Sequence, residues 1–186
     1  MGKYIKRKQL TPQQYCRANK TMSIILAICY LLYITVESSK VAERPHGYFR
    51  IAIYVAITIG NLILVKLKGD KKAPMLFMAV TFLIAYLFLV MNNGVITMVL
   101  AFPALIGFML YMNSILVGAG CVIVFIICAI KCGIVRAGGN EVLFDYGNLI
   151  TVGFVICILG SYQAIRILYE FSEMDRAVIV KEAAHR

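Results

Sequence analysis

Charged side chains are scarce in this chain. They make up 15% of its 186 residues, whereas hydrophobic residues make up 61%. A soluble domain carries about 25% charged residues and roughly 45–50% apolar ones. This balance excludes an ordinary soluble domain and predicts an all-α integral membrane protein with little mass outside the bilayer.

Ionisable side chains are missing from the middle of every membrane span that the sequence predicts. Ion-coupled transporters, proton pumps and intramembrane hydrolases depend on such groups, which are costly to keep in hydrocarbon. The two histidines, His46 and His185, fall outside the predicted bilayer core, so one chain cannot build a haem or zinc site from paired histidines. We therefore expect no catalytic residue, no metal, no cofactor and no enzyme activity.

The six cysteines show no paired CxxC spacing and fall mostly within apolar runs, where cysteine is usually a small packing residue. The net charge of +10 does not predict a nucleic-acid partner. Lysine and arginine lie beside the apolar runs instead, where they anchor and orient membrane spans. The predicted partner is the lipid bilayer.

Residues 1–20 form a predicted basic arm at an anionic membrane surface. The arm has no apolar core, so we expect no cleavable signal peptide. The run Thr11-Pro12-Gln13-Gln14 is typical of a helix start. Thr11 would be the N-cap, Pro12 the first helical residue and Gln14 the partner in a capping box. This pattern predicts a short interfacial helix before the first span.

The longest charge-free run covers 58 residues, Ala73–Ile130. One helix of that length would extend about 87 Å, so the chain must fold back. The breaks fall at Asn92-Asn93-Gly94 and Asn113-Ser114, which are turn-forming sequences. With the flanking apolar runs, these breaks predict a membrane domain over residues 21–168. Its six spans cover approximately 21–36, 51–65, 74–91, 95–112, 115–131 and 149–165.

Six spans place both termini on one side of the membrane. That side would hold 14 lysines and arginines and the other side 5. The positive-inside rule then predicts cytoplasmic N and C termini in a multi-pass protein of the cell membrane. The last outer loop would run from Lys131 to Asp145, with its turn at Gly138-Gly139-Asn140.

The sixth span continues into a segment without glycine or proline, residues 166–186, that we interpret as a cytoplasmic signalling helix. Its apolar residues recur at spacings of three and four, which is typical of a helix that pairs with another helix. This seam comprises Ala164, Ile167, Phe171, Met174 and Val178. It predicts a homodimer, and the charged residues opposite it are interpreted as a solvated face.

Neutral polar residues could offer hydrogen bonds to a small uncharged ligand. The candidates are Asn61, Tyr86, Asn92, Asn93, Tyr111, Asn113 and Gln163. Each also has a structural interpretation. Asn92, Asn93 and Asn113 suit turns that use the left-handed backbone. Asn61 lies within a span, where its amide can bind a ligand or a neighbouring helix.

Aromatic and small residues have structural interpretations as well. Tyr30, Tyr54 and Tyr111 suit anchors at the membrane interface. Pro103 should kink the fourth span near Ala101, either as a hinge or as static packing geometry. Three glycines near this kink would allow close approach of helix backbones. They are Gly107, Gly118 and Gly120.

Two short motifs carry a family resemblance. They are Gln9-Leu10-Thr11-Pro12-Gln13-Gln14-Tyr15 before the first span and Phe102-Pro103-Ala104-Leu105-Ile106-Gly107-Phe108 in the fourth. Together with the run that follows Phe171, they resemble bacterial methyl-accepting chemotaxis proteins with a six-span membrane sensor. The resemblance implies a homodimeric receptor whose last span drives a cytoplasmic coiled coil with methylation sites and a kinase-contacting tip. Neither of those regions lies within these 186 residues.

The leading hypothesis is therefore the membrane sensory module of a bacterial chemoreceptor, which transmits a stimulus through its last span. The alternative is a small six-helix substrate-binding subunit of a vitamin-uptake transporter. That alternative predicts a deep, preformed pocket between the helices and no extended C-terminal helix. An orphan membrane enzyme is disfavoured by the lack of catalytic groups.

Overall fold

The computed structural model describes residues 10–39, 41, 46–111, 113–156 and 160. These residues are mostly helical, with short turns between the helices and no strand among them. The α-helices are α1 (Pro12–Ser38), α2 (Gly47–Lys68), α3 (Ala73–Asn92), α4 (Phe102–Phe108), α5 (Ser114–Ala137) and α6 (141–156). Four of them, α1, α2, α3 and α5, are long and apolar enough to cross a membrane. The prediction of an all-helical fold is confirmed for these residues, and the four long apolar helices suit a membrane protein.

The chain divides into two compact units, Met1–Thr81 and Phe82–Arg186. The first unit contains α1, α2 and the first part of α3. The second contains the rest of α3 and the later helices.

The start of α1 confirms the predicted capping box. The Thr11 side chain accepts a hydrogen bond from the Gln14 backbone N–H at 3.3 Å, and the Gln14 side chain accepts one from the Thr11 N–H at 2.9 Å. The helix then continues from Pro12 to Ser38 without a break. The predicted interfacial helix leads directly into the first span, and the two form one continuous helix of 27 residues.

Helices α1 and α2 pack as an antiparallel hairpin. At one end the buried Asn19 amide donates to the backbone carbonyls of Gly69, at 2.7 Å, and Lys71, at 3.0 Å. At the other end α2 begins at Gly47, where a Cβ atom would lie 2.8 Å from a methyl group of Val41 and 3.1 Å from its backbone. Glycine is therefore required at this connection by close packing. The preceding residue, His46, has a left-handed backbone with φ 64°.

Helix α3 ends where the sequence predicts a turn, but the asparagines act differently there. The backbone of neither Asn92 nor Asn93 is left-handed. Each amide instead donates back to the carbonyl four residues earlier, from Asn92 to Phe88 at 2.8 Å and from Asn93 to Leu89 at 2.9 Å. The bond to Leu89 serves one of the four last carbonyl groups, which have no intrahelical partner, and the bond to Phe88 lies one residue before them.

The fourth predicted span, 95–112, is not a single kinked α-helix. A 3₁₀ segment, Val95–Ala101, leads into the seven-residue α4, and a second 3₁₀ segment, Met109–Tyr111, follows. Pro103 lies in the first turn of α4. Pro103 has no N–H for the carbonyl of Val99, and the N–H of Phe102 bonds that carbonyl in the 3₁₀ pattern instead.

The 3₁₀ segments also lengthen this part of the chain. At about 2.0 Å per 3₁₀ residue and 1.5 Å per α residue, the path from Val95 to Tyr111 is about 30 Å long. That length matches a bilayer core of about 30 Å although the segment has only 17 residues.

Helix α5 is longer than predicted. It continues past Lys131 to Ala137, so most of the expected outer loop is helical. The predicted turn at Gly138-Gly139-Asn140 is confirmed, with Gly139 at φ 76°. The Asn140 side chain caps α6 by accepting from the N–H of Leu143 at 3.1 Å.

Helices α5 and α6 approach each other closely at Gly147. A Cβ atom there would lie 2.6 Å from the sulfur of Cys132. Two of the three glycines predicted to allow close approach, Gly118 and Gly120, do not have this role. A Cβ atom at Gly118 meets nothing within 4 Å, and one at Gly120 makes an ordinary 3.7 Å contact with Leu105.

Several predictions fall outside the described residues. These are residues 1–9 of the basic arm, the second part of the sixth span with Gln163, the signalling helix 166–186, and the seam residues Ala164, Ile167, Phe171, Met174 and Val178.

Candidate functional site

Asn61 is a predicted ligand residue that lies inside one of the long apolar helices. It belongs to α2 and is only 2% exposed. Its side-chain oxygen accepts a long hydrogen bond of 3.5 Å from the hydroxyl of Thr81 in α3. Its side-chain nitrogen has no hydrogen-bond partner. The amide therefore presents donor groups that the protein leaves unused.

Tyr30 of α1 adds a second polar group at this position. Its side chain is fully buried, and its hydroxyl faces Asn61 and Thr81 without reaching hydrogen-bond geometry. We call Tyr30, Asn61 and Thr81 the mid-helix site. Asn61 is 11 positions from Arg50 and 8 from Gly69, or about 16 Å and 12 Å along a helix. The site therefore lies near the middle of the hairpin.

Unbonded polar atoms at this depth are costly. A buried donor or acceptor without a partner costs about 1–3 kcal/mol in a protein interior. Hydrocarbon offers no alternative partner to such groups. A molecule that supplied hydrogen bonds to Asn61 and Tyr30 would therefore remove this cost, and the removal would favour its binding.

A row of tyrosines connects the mid-helix site with one end of the hairpin. The Tyr33 ring contacts Tyr30 and Tyr54 edge to face, with 5.8 Å between ring centroids in both pairs. The Tyr54 hydroxyl is also buried without a hydrogen-bond partner. Tyr30 and Tyr54, expected as interfacial anchors, are thus enclosed by protein, and that expectation is wrong.

The row ends at a buried ion pair. The Arg50 side chain donates from Nε to a carboxylate oxygen of Glu37 at 2.9 Å. Their side chains are 10% and 0% exposed. Tyr54 lies close enough to interact electrostatically with both charged side chains. Glu37 and Arg50 fall just outside the predicted spans 21–36 and 51–65, and the sequence-based prediction missed their pairing.

A sequence signal for this pair does exist. The buried residues of α1 recur at spacings of three and four, and the stripe continues from apolar residues into Glu37. The stripe comprises Met22, Leu26, Cys29, Tyr33 and Glu37. Arg50, Tyr54, Asn61 and Val65 form the corresponding stripe on α2. Continuing each stripe beyond the apolar run would have brought the two charges together.

The second unit places Tyr86 and Tyr111 in one aromatic row. Phe82 stacks on Tyr86 and contacts Phe108, which contacts Tyr111, with centroid distances of 5.9, 5.9 and 6.3 Å. The Tyr86 hydroxyl donates to the carbonyl of Met98 at 2.8 Å and lies 3.3 Å from the sulfur of Cys128. Tyr111 is buried, which contradicts its role as an interfacial anchor.

The three other asparagines predicted to bind a ligand form hydrogen bonds at helix ends. Asn92 and Asn93 bond the last carbonyls of α3, as described above. Asn113 is the N-cap of α5 and accepts from the N–H of Leu116 at 3.2 Å. Lys131 adds to the same end of α3 by donating to the Met91 carbonyl at 3.2 Å. The described contacts of these amides are local backbone bonds.

Within the described ranges, no group of three or more histidine, cysteine, aspartate or glutamate residues could hold a metal ion. No protein family, curated protein or solved structure matches this chain. The interpretation of the mid-helix site therefore depends on its geometry alone.

Proposed function

We propose that the chain is the sensory module of a bacterial membrane receptor, and that its stimulus is a small uncharged molecule. The observation that carries this proposal is the mid-helix site. It combines neutral hydrogen-bonding groups, deep burial in apolar helices and unused polar atoms. Such a site suits a neutral ligand, because a charged one would lose its hydration without gaining a counter-charge there.

The proposed topology has six spans with both termini in the cytoplasm. The charge distribution supports it, since the exposed Arg17, Lys20, Lys66 and Lys68 lie at the Asn19 end of the hairpin. Asn19 and Glu37 are 18 positions apart, or about 27 Å, close to the thickness of a bilayer core. The polar contacts at the two ends of the hairpin would then mark the two membrane surfaces.

The signal would leave through the sixth span into the helix 166–186, and dimerisation through its seam would couple two copies. This part of the proposal rests on the sequence pattern and on the resemblance to chemotaxis receptors. A ligand produces a signal only if it binds one conformation better than another. The seven-residue 3₁₀ segment before Pro103 supports a hinge, because 3₁₀ runs longer than roughly three or four residues are uncommon and their hydrogen-bond geometry is poorer than that of an α-helix.

The test joins residues 1–186 to the cytoplasmic part of a chemotaxis receptor and measures kinase activity in membranes. We expect the activity to change with neutral compounds and not with charged ones, and Asn61→Leu to abolish the change. Met174→Cys should form a disulfide between two copies. A constant kinase activity together with a monomeric fusion protein would contradict the proposal. A co-purifying vitamin would favour the transporter subunit instead.

A further inference from the structure

The hydrogen bonds that the mid-helix site still lacks define the ligand group that fits it. The Thr81 hydroxyl donates to the Phe77 carbonyl at 2.8 Å and reaches the Asn61 oxygen only at 3.5 Å, so the amide offers unused N–H donors and a weakly used oxygen acceptor. The Tyr30 hydroxyl can both donate and accept. A ligand oxygen that accepts from Asn61 and exchanges a hydrogen bond with Tyr30 completes the set. A hydroxyl group does this with a single atom.

The surroundings of the site limit the rest of the ligand. Leu26 and Met78 are fully buried and lie one helical turn or less from Tyr30 and Thr81 on the same helices. The site has no opening to solvent, because its three side chains are buried. A bulky or strongly hydrated molecule does not suit this environment, whereas a slender aliphatic chain does.

An entry route is available from the lipid. The Phe77 ring on α3 lies against Gly60, the residue before Asn61 on α2. A Cβ atom at Gly60 would lie 3.8 Å from this ring. Phe77 is 41% exposed on the apolar outer surface of the helices. Because glycine presents no side chain, the ring covers the seam between α2 and α3 without interlocking with α2.

We infer that the mid-helix site binds the hydroxyl group of a neutral, slender aliphatic alcohol that enters from the bilayer past Phe77. The inference deepens the proposed function and rests on it for the biological role of binding. The binding itself is measurable without any signalling output, so each of the two can fail alone.

The probe is octanol with a photoreactive diazirine on its chain, applied to the purified full chain in lipid nanodiscs. Mass spectrometry then locates the labelled residues. We expect labelling at α1–α3 positions around Tyr30 and Asn61, and competition by unlabelled octanol. Octane, which lacks the hydroxyl, and octanoate, which is charged, should not compete.

Variants separate this site from general labelling by a lipid-soluble probe. Asn61→Leu and Tyr30→Phe each remove one ligand hydrogen bond and should lower the labelling roughly three- to tenfold. Tyr86→Phe, a matched loss of a hydroxyl that Met98 already satisfies, should leave labelling of α1–α3 unchanged. Phe77→Ala leaves the polar groups intact and should speed the labelling.

Three results would overturn the inference. Labelling could spread over lipid-facing residues such as Ile59 and Leu62 regardless of the variants. Octane could compete as well as octanol. Labelling around the site could also stay at background in a well-folded protein, which would indicate that only water fills it. Site labelling without a kinase response in the receptor fusion would instead remove the proposed function and leave the binding site.

Discussion

Different kinds of contact stabilise the interior of each of the two units of the chain. In the first, the hairpin of α1 and α2 is fixed by polar contacts at both ends, Asn19 with the α2 terminus and Glu37 with Arg50. In the second, contacts are mostly between apolar and aromatic groups, such as the stacking of Phe102 on Phe154 at 4.2 Å. The second unit begins inside the charge-free run, so few charged side chains are available for contacts within it.

This contrast has a physical consequence. Polar contacts in apolar surroundings are directional, and they fix which residues face each other. Apolar contacts depend on shape, and they tolerate changes of similar volume. We therefore expect the first unit to be sensitive to the loss of single polar groups and the second to be sensitive to changes in close packing.

The ion pair should give the largest effect. Glu37→Ala leaves Arg50 buried beside Tyr54 without its carboxylate, which should lower the free energy of unfolding by about 3–5 kcal/mol. Denaturation in mixed detergent micelles, followed by helical circular dichroism, measures this change. The exposed Asp70→Ala is the control and should stay near wild type. The pair of changes Glu37→Leu and Arg50→Leu should recover most of the loss, and a double variant as unstable as the single one would contradict this account.

The amide at the opposite end should have the next largest effect. Asn19→Leu removes both bonds to the carbonyls of Gly69 and Lys71 and should cost about 1–3 kcal/mol. Hydrogen exchange should also become faster in the turn after α2. The exposed Asn148→Leu is the matched control. Equal stability of the two variants would show that the Asn19 contacts do not hold the hairpin.

The second unit should respond to a single methyl group. Gly147→Ala places a Cβ atom against the Cys132 sulfur and should destabilise by about 1–3 kcal/mol in the same measurement. Gly133→Ala, where a Cβ atom meets nothing within 4 Å, is the control on α5. Cys132→Ala should restore part of the stability of Gly147→Ala. A failure of this rescue would mean that the close contact is not the cause.

Pro103 should have the smallest effect on stability. It lies in the first turn of α4, where proline costs little, so Pro103→Ala should change the free energy of unfolding by less than about 1 kcal/mol. If the segment is a hinge, the same variant should nevertheless alter the kinase response of the receptor fusion. A large loss of stability would assign Pro103 a packing role instead.

Local patterns predicted local structure well. The capping box at Thr11 and the turns at Asn92-Asn93 and Gly138-Gly139 lie where the sequence indicates, because the groups that form them are neighbours in the chain. Asn61 was also identified as a polar residue within a span. Its partners Tyr30 and Thr81 were not, because they come from two other helices.

The main errors of the sequence-based prediction concerned contacts between residues that are distant in the chain. Glu37 looked like a loop residue because the apolar run ends at Val36, yet α1 continues to Ser38 and buries it against Arg50. Tyr30 and Tyr54 looked like interfacial anchors, because an amphipathic ring suits an interface as well as a polar interior. Only the neighbouring helices decide between these two environments.

The sequence alone determined that this is a helical membrane protein, since its apolar runs are long enough to cross a bilayer and nearly free of charge. It also determined where several helices begin and end, because caps and turns depend on adjacent residues. Tertiary structure decided which polar groups are bonded, which are left open at mid-depth, and which charges meet. Those outcomes depend on the relative rotation of packed helices, and a linear pattern constrains that rotation only weakly.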